Sequence, residues 1–267
     1  QTSNPINMQY QFKTAEEVLA HCKHYKISIA EVAKRFEAER SGKSLPAVRD
    51  KMKKTRDVMF DAVMRGVKST KKSRMGMVGG DANKAWKATK TMSKVFASKV
   101  GIRAIAYALA VSEQNACMGR IVAFPTAGGA GVIPGVLFSA VEHFKSGKRK
   151  LLQGMFTASA IGPIIAEGET LSAAKGGCQA EVGAGVAMAA AGLTEMRGGT
   201  PSQCFHAAAI GLKSYLGLVC DPLGGLVEVP CAKRNAIGTQ AAIGASDMAI
   251  AGIESFIPFD EVVQAMN

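Results

Sequence analysis

Apolar residues along this chain recur every three or four positions, the period of a helix packed on one face, and no stretch alternates long enough to build a strand. Thr14 followed by Glu17 forms a capping-box pattern, with Val18, Leu19 and Cys22 behind it as an apolar stripe. Ser28 with Glu31 repeats that start, and Ile27 before it is placed as a hydrophobic staple. Thr200-Pro201-Ser202-Gln203 offers an N-cap, a proline at the first helical position and an acceptor three residues on. Gly217 then closes that helix near residue 216. Asp260 opens a last short helix running to Met266. No Asn-Gly or Asp-Gly hairpin signal interrupts the pattern. The predicted fold is all-α, a helical bundle whose long helices are joined by glycine-rich loops converging on one site. Residues 1–70 form an N-terminal helical layer and residues 71–267 the main helical domain, the two continuous with each other.

The 267 residues are 48% hydrophobic but only 6% aromatic, with 29 glycines, so the core is built from small side chains that let helices approach closely. The gapped apolar run "EVGAGVAMAAAGLTEM" reads as a buried core helix, because apolar runs are broken before reaching the roughly 18–20 residues of a membrane span. With a polar start, "QTSNPINMQYQFKTAEE", a soluble cytoplasmic protein is expected, with no membrane association.

The net charge is +12, and the excess lies between Lys51 and Arg103. Aromatic residues are sparse among these charges, only Phe60, Trp86 and Phe96, and no nucleic-acid motif accompanies them, which argues against a nucleic-acid partner. Lys84, Lys87, Lys90 and Lys94 step by three and four along one solvated helix face. A surface for an acidic partner subunit, or attraction of an anionic substrate, is the remaining use for such a charge.

Four loops carry the glycines: "SRMGMVGGDA", "FPTAGGAGVIPG", "AAKGGCQAEVG" and "CDPLGGLVEVPC". Such loops suit backbone amides that must come close to a ligand, although a tight helix–helix turn explains any one of them equally well. Six cysteines in a long chain without a secretory pattern favour reduced thiols, or metal or cluster ligation, over disulfides. Cys22 and Cys204 sit inside helical patterns, and Cys117 reads as a packing thiol with a fourth-ligand role as the lesser alternative. Cys178, Cys220 and Cys231 each sit in a loop flanked by glycine or proline, with 41 and then 10 residues between them. Cys178 stands at a helix start, where the dipole favours thiolate. Three thiolates make an incomplete zinc site but a workable cubane site with one iron left open, and spacing alone leaves buried packing thiols as the alternative.

At these residues the chain resembles a known family, the iron–sulfur-dependent L-serine dehydratases, and within it the α chain of the two-subunit form. Gly176–Gln203 and Leu216–Gly238 resemble its cluster-bearing segments, and Asn115–Phe138 and Gly76–Ala82 its substrate loops. The resemblance implies a [4Fe–4S] cluster held by Cys178, Cys220 and Cys231, a separate β subunit, and hence a hetero-oligomer. It also implies a lyase that eliminates water from a small amino-acid substrate, L-serine, giving pyruvate and ammonia, with the open iron acting as Lewis acid on the β-hydroxyl. The same chemistry on L-cysteine or L-threonine is the first alternative, and a non-enzymatic cluster carrier or a pyridoxal-phosphate enzyme lies further off. Ser73, Gly79, Gly80, Asp81, Thr126, Gly128 and Gly129 are the expected substrate-holding positions, with Arg234 and Asn235 as candidates for the substrate carboxylate. The ending "EVVQAMN" offers no cysteine to the open iron, leaving it to substrate or water. Where some relatives carry Glu-His-Asn this chain has Lys213-Ser214-Tyr215, and Met75 replaces a small residue. No base is assigned: His21, His24, His143 and His206 lie outside the motif loops, and Glu181 either orients a ligand or sits as a helix-start acid.

Overall fold

A computed structural model describes residues 9–91, 95–168, 170–225 and 228–266. Among these residues the regular structure is helical and no strand forms. Helices α1 (Ala15–Tyr25), α2 (Ile29–Ser41) and α3 (Leu45–Gly66) come first along the chain. The Thr14 hydroxyl accepts from the Glu17 amide with the reciprocal Glu17 contact present, and Ser28 accepts from the Glu31 amide. Both starts follow from local sequence, since a cap needs only a short polar side chain and its own next turn.

Next come α4 (Asp81–Thr91), α5 (Lys99–Ala116), α6 (Val132–His143) and α7 (Lys148–Gly168). Lys84, Lys87 and Lys90 lie on α4, while Lys94 is outside the described residues. After α8 (Ala173–Cys178) a π-helical turn, Gln179–Gly183, runs directly into α9 (Ala184–Met196), and α10 spans Pro201–Lys213. All thirteen residues of α9 are buried, so the apolar run of small residues is the central rod of the bundle. It packs against α7 so tightly that a Cβ on Gly192 would sit 2.5 Å from the Gly154 carbonyl oxygen. Glu195, 4% exposed, joins this rod to α2. It accepts from the Ala30 amide at the start of α2 (3.3 Å), from Gln153 Nε2 (2.9 Å) and from Thr157 Oγ1 (2.5 Å).

The long α11 (Val229–Ile250) and the short α12 (Phe259–Gln264) complete the chain. Asp260 does not open α12, which begins one residue earlier after Pro258. Its carboxylate instead caps α1, accepting from the amides of Ala15 (2.8 Å) and Glu16 (3.2 Å). A carboxylate goes where unpaired helix-start amides are, and here those belong to the other end of the chain. One set of buried apolar side chains runs from Phe12 to Met266.

Candidate active site

Three segments bring the loop cysteines together. Gly177 breaks the backbone between α8 and the π-turn (φ 76°, ψ −179°), and a Cβ there would lie 2.8 Å from the Leu218 carbonyl oxygen. Only glycine suits that conformation and that closeness. Cys178 follows it, fully buried, at the start of the rod. The Gln179 amide donates to the Leu218 carbonyl (3.0 Å), which ties the Cys220 loop to the rod. Cys231 lies in the first turn of α11, behind Pro230.

Arg234, one turn further on, donates from Nη1 to the Cys178 sulfur (3.1 Å), to the Val219 carbonyl (3.1 Å) and to the Asp221 carboxylate. The Cys178 thiol is drawn down to about 6, first by its bond to the Cys231 thiol and then by the Arg234 guanidinium, against the opposing effect of burial. Cys231 is pushed up by the same bond and by burial. Burial also raises Cys220, together with the negative charges of Cys178, Glu181 and Asp221. The thiol that meets the guanidinium is thus the one favoured as thiolate, and its two neighbours are shifted the other way.

Cys220 and Cys231 line a cavity of about 640 Å³ with Ser112, Asn115, Gly128, Glu181 and Glu228 among its other walls. Among the described residues, no three His, Cys, Asp or Glu side chains are packed closely enough for a single metal ion. Three thiols gathered at one place match the donor set of a cubane with one iron left open, and Cys178 and Cys231, in hydrogen-bond contact here, would part to take separate irons.

The loop before α6 forms the opposite wall. Asn235, fully buried on α11, clamps it: Oδ1 accepts from the Gly131 amide (2.9 Å), and Nδ2 donates to the carbonyls of Gly128 (2.6 Å) and Cys231 (2.8 Å). Thr126 Oγ1 accepts from the Gly129 amide (3.2 Å). Glu181 lies flat against this loop, and a Cβ on Gly128 would be 2.2 Å from its Oε2. Burial raises the Glu181 carboxyl, with the Thr126 hydroxyl working against it. From the third side, Ser73 Oγ donates to Glu228 Oε2 (2.5 Å) and accepts from the Val78 amide (3.2 Å).

Two comparisons with known proteins bear on this arrangement. The family model described as "Serine dehydratase alpha chain" matches residues 24–267. The chain belongs to the serine dehydratase alpha chain family. It is 44% identical over 255 residues to the "Probable L-serine dehydratase, alpha chain" of Bacillus subtilis, covering 96% of this chain and 84% of that one. The "L-serine dehydratase, alpha chain" of Peptoniphilus asaccharolyticus is 39% identical over 254 residues, covering 95% and 87%. The "L-serine dehydratase" of Mycobacterium tuberculosis is 36% identical across 99% of this chain, which spans only 58% of that longer protein. An alpha chain is by its description one chain of a multi-subunit enzyme. Among the described residues no helix is long and apolar enough to cross a membrane.

Within this serine dehydratase alpha chain the expected substrate positions divide. Gly128 lines the cavity, Thr126 and Gly129 stand just behind it against Glu181, and Ser73 reaches it through Glu228. Gly79, Gly80 and Asp81 serve a different partner. The amides of Gly80, Asp81 and Ala82 donate to the buried Glu113 carboxylate (3.0, 2.7 and 3.1 Å), so an internal anion takes the place expected for a substrate carboxylate. The Gly79 carbonyl accepts from Lys72 Nζ (2.6 Å). Asp81 bonds Lys233 and Lys84, which hold its carboxyl at about 2. Arg234 serves the Cys178 thiolate and Asn235 serves the loop.

Glu113 and Glu228 were not singled out by sequence reasoning. Glu113 carried a signal, an acid three residues after Ala110 on the buried stripe of α5. Glu228 had only its place before a helix start. His21 bonds the Gln11 carbonyl, His206 bonds the Ser255 amide, and no histidine is among the described cavity-lining residues. Cys22 and Cys204 are packing thiols raised by burial, and Cys117 points at the Lys71 carbonyl (3.6 Å).

Proposed function

We propose that this chain is the catalytic α chain of an iron–sulfur-dependent L-serine dehydratase, working with a β subunit in a hetero-oligomer. The observation that carries it is the gathering of the three thiols: Cys220 and Cys231 line a cavity faced by the Gly128 loop, and the buried Cys178 bonds both from behind it. A [4Fe–4S] cluster on these three sulfurs supplies, when bound, a Lewis acid at the iron without a cysteine ligand, which makes the serine hydroxyl a better leaving group.

The chain's own residues do the rest. Arg234 keeps Cys178 ionised and offsets part of the charge that three thiolates bring together. Glu181 and Glu228 present carboxylates to the cavity, matching the α-ammonium of an amino acid. Asn235 holds the Gly128 loop at a fixed distance from Cys231, so substrate and cluster share one rigid frame. Elimination of water leaves an enamine that tautomerises and hydrolyses in solution to pyruvate and ammonia. Six free thiols suit the reducing cytoplasm, which such a cluster also requires.

The test is anaerobic reconstitution with iron and sulfide, followed by a pyruvate assay on L-serine with the β subunit present, and L-threonine and L-cysteine run alongside. The expected result is a broad iron–sulfur absorbance bleached by dithionite, with pyruvate release. Cys178→Ala, Cys220→Ala and Cys231→Ala each lose both. Full cluster and normal turnover in Cys220→Ala would overturn the ligand assignment, and a sharp aldimine band would replace the cluster by pyridoxal phosphate.

A further inference from the structure

The rim of the cavity carries a combination that an isolated chain has little reason to keep. Met118 is 92% exposed and adopts φ +61°, a left-handed conformation unfavourable for a residue with a bulky side chain. It stands just past the end of α5, where glycine is the ordinary choice. Asn115 and Ala116, just before it, line the cavity. Three more large apolar side chains are exposed on segments that contribute to the site: Met75 (60% exposed), Val219 (65%) and Leu223 (56%). Met75 is two residues from Ser73, the partner of Glu228, while Val219 and Leu223 flank the wall residues Cys220 and Pro222. Exposed apolar groups carried by the segments that wall one opening mark a surface that something covers.

Charge says what kind of surface covers it. Lys71, Arg74 and Arg120 are exposed on the same rim, and no ion pair holds them among the described residues. Cys117 Sγ to the Lys71 carbonyl, at 3.6 Å, joins the Lys71 and Met118 segments into one face. A second copy of this chain would bring equal cations against these, and like charges repel. A chain with apolar side chains ringed by carboxylates fits instead.

Resting on the function proposed above, we infer that this rim is the docking face of the enzyme's β subunit, which closes the cavity by packing an apolar, acid-rimmed patch onto Met75, Met118, Val219 and Leu223. The cavity then becomes a closed site only in the complex. Met118 accepts its backbone strain because its side chain is placed for the partner, and strain kept at such a point is characteristic of functional surfaces.

The experiment measures association of the reconstituted α chain with the co-expressed β subunit by sedimentation, with cluster absorbance followed in the same samples. Met118→Glu and Leu223→Glu each weaken association roughly tenfold or more, while cluster absorbance stays that of the wild type. Raising salt from about 50 mM to about 500 mM weakens the wild-type complex, as paired charges across the face require. Met118→Gly gives the separating result: the isolated chain melts higher because the left-handed strain is relieved, yet association falls. Phe256→Glu, an exposed aromatic at a different cavity, leaves association unchanged. Wild-type association by both rim variants would overturn the proposal, as would a homodimer of the isolated chain that the same variants dissociate. Absence of cluster in the wild type would count against the proposed function and leave the docking result readable.

Discussion

Exchanging Asn235 for aspartate conserves shape and reverses the polarity of one end of the side chain. The two donors that Nδ2 makes to the Gly128 and Cys231 carbonyls, at 2.6 and 2.8 Å, become an oxygen facing two oxygens. Each carbonyl left buried without its donor costs about 1–2 kcal/mol, the lost bond included. The new carboxylate is fully enclosed, so it takes up a proton or carries an unpaired charge, and either outcome adds to the cost. A total of about 3–5 kcal/mol follows for Asn235→Asp. Asn235→Ala removes the same donors and the acceptor for Gly131 but introduces no repulsion, and costs about 2–4 kcal/mol. The assay is urea unfolding of the cluster-free chain followed by far-UV circular dichroism, with the denaturant slope compared between variants. In the holoenzyme kcat falls with the loop's position. If instead Asn235→Asp unfolds within about 1 kcal/mol of the wild type and only KM for serine rises, Asn235 faces substrate and the clamp is refuted.

Three further outcomes follow from the same contacts. In Gly128→Ala the new Cβ meets Glu181 Oε2 at 2.2 Å, so the loop or the carboxylate moves, turnover drops and cluster absorbance persists; an unchanged kcat would show that Glu181 is free to swing away. Asp81→Asn destabilises the cluster-free chain at neutral pH, because a carboxyl held down from 3.8 to about 2 stabilises the fold above pH 3.8 and loses that contribution as pH falls through about 2. The depression is worth at most about 2.5 kcal/mol, which screening at the exposed ends of Lys84 and Lys233 cuts to about 1 kcal/mol, and unfolding curves of wild type and variant at pH 7 and at about pH 2 read the difference, which closes at the lower pH. Gly192→Ala places a Cβ 2.5 Å from the Gly154 carbonyl and forces α7 and α9 apart, lowering stability by about 1–3 kcal/mol, whereas Gly147→Ala, with nothing within 4 Å, leaves the melting temperature unchanged.

What the sequence made legible was local or compositional. The caps at Thr14, Ser28 and Thr200 each depend on residues three apart, and all three form. The α9 run of small apolar residues could hardly be anything but the centre of the bundle. What stayed hidden was pairing across long separations. Asp260 caps a helix 245 residues away, and Glu113 meets amides 31 to 33 residues earlier. A carboxylate and a row of helix-start amides are each visible in a sequence, but their meeting depends on how helices cross. Arg234 and Asn235 were found as residue types, and the contacts they make, to the Cys178 sulfur and to the Gly128 loop, were not visible in the sequence. Helical phase held the missing information: three and four residues after Cys231, both lie on its face of α11, so they turn toward the sulfurs and the adjoining loop.

That phase also limits how the site handles charge. Arg234 Nη1 already meets the Cys178 sulfur and the Asp221 carboxylate, and Lys233 Nζ is held at 2.7 Å by Asp81. Drawing either cation toward a substrate carboxylate would strip the thiolate of its donor or release the start of α4 from α11. Both losses cost more than an exposed ion pair returns. The described walls of the cavity hold Glu181 and Glu228 but no lysine, arginine or histidine. On the function proposed above, a zwitterion entering it would be held by its ammonium end, with its carboxylate turned toward the three sulfurs or toward whatever closes the rim. The strained, exposed Met118 lies at that rim. The same choice that commits Arg234 to the Cys178 sulfur would, on that proposal, leave the anionic end of the substrate for the cluster or the second chain to meet.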